Sequence, residues 1–281
     1  MATESYKSFI TAPLLGKVPT EANEELAVKK LKEHGCIIER THIPIQEFNN
    51  WLKRVDYENR FPIYFKEYGP PNQSPENWTR KQFEHFLTFK LSKINKSSSV
   101  IDVAAANAPV QRILRDVFDI SEAWRQDWNY TTDKTSKTLG GNASSLAVDD
   151  ESFDALLLHN SWEHFEGDSD LDFLKEAARV LKTGGKVIIT PLFFGLEGFV
   201  STSPECWPHK YRAASEPPQF REEVPVIVNN SINQRYSQRH SVKLLLRHFN
   251  DVPRLSPKII VISNAHDFGQ SPPYSLLLEK L

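Results

Sequence analysis

Histidine is the side chain best suited to exchange a proton near neutral pH, and several histidines stand at positions where this chemistry is plausible. His159 ends a strongly apolar run, His164 follows Glu163, and His209 lies in a stretch rich in proline and aromatic residues. We treat these three histidines as candidate catalytic bases, with Tyr211 and His240 as further candidates. Each also has a simpler interpretation as a packing, capping or surface residue.

Metal and disulfide chemistry is not indicated by the sequence. The only two cysteines, Cys36 and Cys206, are far apart, and no group of His, Cys or carboxylate residues has the spacing of metal ligands. We therefore expect no metal site and no disulfide framework.

A run of small residues, Ala-Ala-Ala-Asn-Ala-Pro from 104 to 109, follows the apolar segment Val100–Val103. A loop that must adopt a positive φ or lie against a ligand usually uses glycine, because alanine adds a methyl group. A dinucleotide site needs nearly bare backbone at its pyrophosphate. The run therefore argues against an NAD-dependent oxidoreductase, and less strongly against a cofactor without phosphate.

The elements that must position these residues alternate between strand and helix from residue 98 onward. Apolar periodicity and turn residues predict strands at 99–103, 122–128, 153–159, 186–190, 258–263 and 274–279, and helices near 109–117, 171–181 and 242–249. The helix near 171–181 is expected to stop at Gly184-Gly185. This alternation predicts an α/β fold whose sheet is mostly parallel, with an antiparallel last strand.

Two segments depart from this alternation. Residues 1–95 are predicted to form a helical N-terminal extension or cap, and 96–281 the main domain. Within the main domain, the proline-rich residues 191–238 are predicted to form an insertion after the fifth strand, over the carboxyl ends of the strands, where α/β proteins bind ligands. The aromatic residues of the extension either enclose an acceptor or form its core or a dimer interface; both interpretations remain open.

Composition restricts the class of partner. The chain has 281 residues, a formal net charge of −2 and 40% hydrophobic residues. We expect no nucleic-acid partner, because no strongly basic face is evident. No segment has the pattern of a signal peptide or a membrane span, so we expect a cytoplasmic protein without a membrane partner. A homodimer remains open.

Four stretches then occur in a specific order. They are Val100–Pro109, Asp127, the segment 141–165 with Phe153-Asp154 and Glu163-His164, and the segment 173–190 with Arg-Val-Leu-Lys-Thr-Gly-Gly. In this order the chain resembles the small-molecule class I methyltransferases that depend on S-adenosylmethionine, of the type-11-like group. The resemblance covers about residues 100–190. It departs from the family in the first loop, where the usual glycines are absent.

The resemblance implies a Rossmann-like class I methyltransferase sheet and S-adenosylmethionine as cofactor. Asp127 would bind the ribose hydroxyls, and Asp102 would organise the first loop. The remaining cofactor-binding residues that it implies are Ala104, Ala106 and Asn107 in the first loop, Asn142, Ala143 and Ser144 near the adenine, and Leu158 and His159 on the other side.

The implied activity is transfer of a methyl group to an oxygen, nitrogen or carbon nucleophile of a small organic molecule, with natural-product biosynthesis as one setting. The glycine-free loop motivates an alternative, a non-catalytic relative that keeps the fold for binding or assembly. Binding of S-adenosylmethionine separates the two.

Overall fold

The computed structural model describes residues 10–15, 23–70, 72–208, 216–229 and 233–281. Two of the candidates named above, His209 and Tyr211, lie outside the described residues. The chain forms two compact units. The second unit comprises Met1–Cys36, Ser161–Lys175 and Phe193–Pro253, and the sheet unit comprises Ile37–Asn160, Glu176–Leu192 and Arg254–Leu281.

The sheet unit is built on an eight-stranded sheet. Its strands are β1 (Ile37–Thr41), β2 (Ser99–Val103), β3 (Glu122–Asp127), β4 (Thr138–Gly140), β5 (Phe153–His159), β6 (Leu181–Thr190), β11 (Leu255–Ile262) and β12 (Tyr274–Lys280). They lie in the order β1-β11-β12-β6-β5-β2-β3-β4. Strand β12 runs antiparallel to both of its neighbours, and the other pairs in this sheet are parallel.

The strand order confirms the predicted Rossmann-like sheet. With β1 left aside, numbering the other strands along the chain gives the order 3-2-1-4-5-7-6. The order reverses between β2 and β5, and ligands of open α/β sheets bind outside the carboxyl ends of the strands at such a reversal. Strand β5 is buried between its neighbours, which explains why its sequence is a nearly continuous apolar run.

The α-helices within the described residues are, in order, α1 (Glu24–Glu33), α2 (Ile45–Val55), α3 (Tyr57–Arg60), α4 (Pro62–Tyr68), α5 (Pro75–Ser92), α6 (Val110–Phe118), α7 (Ser169–Val180) and α8 (Val242–Asp251). Helix α5 begins at a Ser74 cap whose hydroxyl accepts the amide of Asn77, with Pro75 in its first turn. It packs against β5 and β6. Among the described residues, no helix is both long and apolar enough to cross a membrane.

The boundary predicted near residue 95 is not where the structure divides. Strand β1, which the sequence analysis did not predict, pairs in parallel with β11, from Ile37 opposite Lys258 to Thr41 opposite Ile262. Residues 37–95 therefore belong to the sheet unit. The aromatic residues of this region form its core rather than an enclosure: Trp51, Tyr57, Phe61, Tyr64 and Trp78 are all buried in one cluster.

The predicted end of the helix before β6 is also wrong. Helix α7 ends at Val180 and β6 follows at once, so Gly184 and Gly185 lie within the strand. The pairing of β6 with β5 jumps there, from Leu181 opposite Phe153 to Lys186 opposite Ala155. Gly184 has a φ of 77°, so the glycine serves this strand irregularity and not a helix terminus.

The second unit contains a four-stranded sheet in the order β7-β10-β8-β9, formed by β7 (Phe194–Gly195), β8 (Phe199–Thr202), β9 (Val226–Val228) and β10 (Ser237–Ser241). Its core includes Val200, Val226 and Leu244. The predicted insertion 191–238 is therefore too short. Helix α8 belongs to this unit because its apolar face packs on these strands. Apolar periodicity along the chain predicts a helix but does not show which sheet the helix packs against.

Candidate functional site

The loop after β2 lies at the reversal of the strand order and adopts glycine-like backbone conformations with alanine. Ala104 has a φ of 52° and Ala106 a φ of 43°. The Ala104 amide donates to Oε1 of Gln126 at 3.1 Å, and the Ala106 amide donates to Oδ2 of Asp127 at 2.9 Å. Left-handed backbone costs alanine about 1–2 kcal/mol per residue, so these hydrogen bonds hold the loop in a strained conformation.

Asp127 ends β3, as predicted, and is buried. Its Oδ2 accepts the Ala106 amide and its Oδ1 accepts the amide of Asn129 at 2.9 Å. Each carboxylate oxygen can accept a second hydrogen bond, so Asp127 orders the loop and retains capacity for a ligand hydroxyl. The Tyr130 hydroxyl donates to the carbonyl oxygen of Ala106 and closes the loop on its other side.

Gln126 is a residue of the candidate site that sequence reasoning missed. It is buried and lies opposite Val103 in the pairing of β2 with β3. Its Nε2 donates to the carbonyl oxygen of Gly141 at 2.5 Å, while its Oε1 accepts from Ala104. Gln126 thus joins the loop after β2 to the segment after β4. The only sequence signal was its position beside Asp127 at a strand end.

Asp102 and His159 form a buried pair at the carboxyl ends of β2 and β5. Nδ1 of His159 lies 3.1 Å from Oδ1 of Asp102. Burial raises the pKa of Asp102, while the hydrogen bond from His159 acts in the opposite direction. The other carboxylate oxygen, Oδ2, is buried and has no hydrogen-bond partner among the described residues. That oxygen therefore has unused hydrogen-bonding capacity.

The pair continues into helix α5. Nε2 of His159 lies 2.7 Å from the Thr88 hydroxyl, and the Tyr57 hydroxyl lies 2.9 Å from Nδ1 of His85. The rings of His85 and His159 meet edge to face at 5.1 Å. Burial holds the pKa of His85 well below its ordinary value, so this imidazole is neutral. Both ring nitrogens of His159 have partners, Asp102 and Thr88, so His159 is part of a hydrogen-bonded chain of side chains.

Glu84 lies on the same helix and is also buried. Its Oε2 accepts from the amide of Asn160 at 2.7 Å, and its Oε1 has no hydrogen bond among the described residues. Burial raises the pKa of Glu84 to about 7, although Arg80 counteracts the shift. Sequence reasoning missed Glu84, His85 and Thr88. The available signal was polar residues interrupting the apolar face formed by Phe83, Phe86 and Leu87.

The other predicted cofactor residues lie in less specific settings. Oδ1 of Asn142 accepts the Ser144 amide at 2.9 Å, which shapes the turn after β4, and Ala143 is buried. Nδ2 of Asn107 donates to Glu67 at 3.4 Å. Leu158 is completely buried within β5.

Two motif residues that carried the resemblance have structural roles. Oδ2 of Asp154 accepts the Ser99 amide at 2.7 Å and lies 2.9 Å from Nζ of Lys182, and so ties β5 to β2 and β6. Arg179 donates to the carbonyl oxygens of Leu146 and Val148. These residues hold the segments that carry the site.

The remaining candidate bases lie in the second unit. Nδ1 of His164 lies 2.5 Å from the carbonyl oxygen of Tyr236, and its side chain is 40% exposed. A carbonyl only accepts, so Nδ1 carries the proton and Nε2 holds the lone pair of the neutral ring. Desolvation lowers the pKa of His164. His240 is buried against Asp170, which agrees with the interpretation of this further candidate as a packing residue.

Comparisons with known proteins agree with this assembly. A family model described as a methyltransferase domain matches residues 97–189. That range contains the loop after β2, Asp127, His159 and the Arg179 segment, so the resemblance inferred from these residues is confirmed over it. A search of curated proteins gave no match.

Solved structures that resemble the chain include several methyltransferases. A chain of the complex between the Haloferax volcanii Trm112 methyltransferase activator and a methyltransferase is 16% identical, with 84% of this chain and 96% of that chain covered and a TM-score of 0.45. Burkholderia thailandensis 1,6-didemethyltoxoflavin-N1-methyltransferase, solved with S-adenosylhomocysteine, is 11% identical. The match covers 94% of this chain and 92% of that chain, with a TM-score of 0.46. Streptomyces coelicolor geranyl diphosphate C-methyltransferase is 13% identical. The match covers 76% of this chain and 86% of that chain, with a TM-score of 0.41. Each TM-score is below 0.5.

Proposed function

We propose that the chain, whose residues 97–189 carry a methyltransferase domain, binds S-adenosylmethionine at the carboxyl ends of β2, β3 and β5 and transfers its methyl group to a small organic acceptor. The observation that carries the proposal is the loop after β2. Its alanines take up glycine-like conformations and its amides are fixed by Gln126 and Asp127, at the reversal of the strand order.

The residues present fit this cofactor. Its methionine ammonium needs an acceptor, and Oδ2 of Asp102 is a buried carboxylate oxygen without a partner among the described residues. Its ribose hydroxyls need a carboxylate at the end of the second strand of the domain, where Asp127 stands. Asn107 completes the first loop, and the turn of Asn142, Ala143 and Ser144 would border the adenine, with Leu158 and His159 opposite.

When bound, S-adenosylmethionine supplies an electrophilic methyl group on a sulfonium, and the protein supplies position and a proton acceptor. His159 fixes the orientation of Asp102 through Nδ1 and is itself held by Thr88. His164 is the candidate base, because its Nδ1 proton is committed to Tyr236 and its lone pair is on Nε2. We expect an oxygen, nitrogen or carbon nucleophile on the acceptor.

Isothermal titration with S-adenosylmethionine and S-adenosylhomocysteine tests the binding step. Wild type is expected to bind both, and Asp127→Ala to weaken binding by about 1–3 kcal/mol, because charge-assisted hydrogen bonds are lost. Asp116→Ala, which removes an exposed carboxylate on α6, serves as the matched control. Absence of binding at millimolar ligand would contradict the cofactor assignment, and unchanged affinity of Asp127→Ala would contradict the ribose contact.

A second candidate function is a non-catalytic binding or assembly protein of the same fold. It is favoured by the same loop, because both oxygens of Asp127 and the Ala106 carbonyl already have partners within the protein. Release of S-adenosylhomocysteine with a panel of phenols, amines and activated carbon acids separates the two. Absence of cofactor binding by the folded protein, or cofactor binding without turnover on any acceptor class, favours the second function.

A further inference from the structure

A cluster of buried polar side chains lies in the second unit, separate from the residues of the proposed cofactor site. Asp170 comes from the first turn of α7, His240 from β10 and His248 from α8. All three are buried, with at most 1% of each residue exposed. Their ligand-type atoms lie within 4.8 Å of one another.

Two imidazoles converge on one carboxylate oxygen in this cluster. Nε2 of His240 lies 2.9 Å and Nε2 of His248 lies 3.0 Å from Oδ2 of Asp170. The His248 approach does not have hydrogen-bond geometry, and neither nitrogen of His248 has a hydrogen-bond partner among the described residues. A buried imidazole with both nitrogens unpartnered is unfavourable unless something else binds it.

The surrounding residues hold the three side chains in place. Arg221 donates to both oxygens of Asp170, one of them at 3.0 Å, which orients the carboxylate. The indole of Trp162 stacks on the His240 ring, with centroids 4.1 Å apart and planes 7° from parallel. Residues of this kind around a metal-ligand set fix ligand orientation and raise affinity.

Two guanidinium groups hold the carboxylates beside the cluster. Nε of Arg221 lies 2.7 Å from Oδ1 of Asp168 as well as contacting Asp170. Arg247 lies 3.3 Å from the same oxygen of Asp168. The carboxylate of Asp170 is therefore fixed in place without help from the two histidines.

We propose that Asp170, His240 and His248 form a binding site for a divalent transition metal ion. One carboxylate oxygen and two imidazole nitrogens are a ligand set that zinc and its neighbours accept. In a tetrahedral site with bonds of about 2.0 Å, ligand atoms lie roughly 3.3 Å apart, close to the observed separations from Oδ2 of Asp170. Because the three ligands are fully buried and come from three elements, the ion acts by tying α7, β10 and α8 together.

The expectation of no metal site came from spacing along the chain. Asp170 and His240 are 70 residues apart in the chain, and His240 and His248 lie on different elements. A ligand set assembled from such distant positions has no linear motif. Folding brings it together, and the sequence gives no sign of it.

Zinc titration of the full chain, purified without a histidine tag and stripped with a chelator, tests the proposal. One equivalent of Zn²⁺ is expected to bind with micromolar or tighter affinity and to raise Tm by several degrees. Co²⁺ should give visible absorption bands of low-symmetry coordination. Mass spectrometry of the metal content of untreated protein should give about one transition metal per chain.

Two variants and a control complete the test. His248→Gln and Asp170→Asn are expected to lower zinc affinity at least tenfold, whereas His266→Gln, which changes a histidine with an 83% exposed side chain, should leave it unchanged. If the variants fail to fold, the wild-type titration still decides. No stoichiometric binding and no rise in Tm would overturn the proposal, as would equal zinc affinity of folded His248→Gln and wild type. None of these readouts depends on S-adenosylmethionine.

Discussion

Ala104 and Ala106 show how a loop can keep a glycine-like path without glycine. Their left-handed backbone is imposed by hydrogen bonds to the end of β3, not by residue preference. The sequence allowed us to predict that this loop is the departure from the family, but alanine gave no reason to expect a positive φ. The anchors Gln126 and Asp127 decide the conformation.

Replacing Ala104 with glycine is expected to raise the free energy of unfolding by up to about 1 kcal/mol. Relief of the left-handed strain exceeds the extra chain entropy of glycine in the unfolded state. Ala178→Gly, in the interior of α7, is the matched control and should lower the free energy of unfolding by about 1 kcal/mol. Urea unfolding measures both. A loss for Ala104→Gly as large as that of the control would show that the loop is not strained.

Glu84 gives a pH-dependent prediction. Its pKa in the folded protein is raised from 4.5 to about 7, so the folded state binds the proton more tightly than the unfolded state. Stability due to this group is therefore lost as pH rises from about 4.5 to 7, by at most about 3 kcal/mol. Glu84→Gln keeps an acceptor for Asn160 and has no charge, so it should become more stable than wild type above pH 7.

Unfolding measured between pH 4.5 and 8.5 tests this expectation. Glu58→Gln, an exposed residue on α3, is the control and should follow the wild-type curve. If the difference in the free energy of unfolding between Glu84→Gln and wild type does not change with pH, the pKa of Glu84 is not raised in the folded protein.

The site could be predicted from sequence only in part at the residue scale. Asp127 was located because it stands at the end of a predicted strand, and Asp102 because it precedes the loop. Glu84, His85 and Thr88 were missed because they lie on a helix whose periodicity indicated only an apolar core. His164 remains a proposal, and its Tyr236 contact joins positions too far apart in sequence to be paired by inspection.

At the scale of elements, Arg179 connects helix α7 to the segment before β5. It lies 2.7 Å from Oδ1 of Asp150 and 2.7 Å from Oε1 of Glu176, and Oε1 of Glu176 accepts the Leu146 amide at 2.6 Å. The Arg-Val-Leu-Lys motif is thus a structural clamp. It holds the segment before β5 against the helix.

Arg179→Ala is expected to destabilise the protein by about 2 kcal/mol, since carbonyl oxygens of Leu146 and Val148 lose a charged donor. Lys175→Ala, on the same helix with one exposed ion pair to Asp172, should change stability by less than about 0.5 kcal/mol. Thermal or urea unfolding measures both. Equal small effects would contradict the clamp.

Strands and helices were predictable where the pattern was strong and local. Strands β2, β3 and β5 agree with the predicted spans to within a residue. Strands β2 and β5 are short apolar runs bounded by turn residues, whereas β3 was placed by its position between a helix and a loop. Strand β1 was missed because Glu39 and Arg40 make it look like an exposed segment, and only its pairing with β11 makes it a strand. Tertiary pairing of this kind leaves little local signal.

At the scale of the whole molecule, the two units are each assembled from three separate segments of the chain. Sequence analysis predicted consecutive domains because changes in composition are read along the chain. They do not show which distant segments share one core. The predicted sheet was correct since alternating elements specify it. The partition was wrong because contacts between distant segments decide it.

The edge strand β1 has a practical consequence for shortening the protein. A fragment that starts at residue 97, where the family match begins, and keeps the rest of the chain would lose β1 together with α1–α5. It would uncover the backbone edge of β11 and the apolar surface now covered by residues such as Phe48, Phe83 and Leu87. An unpaired edge and a bare apolar face promote self-association, so the smallest soluble version of the domain must start no later than Ile37.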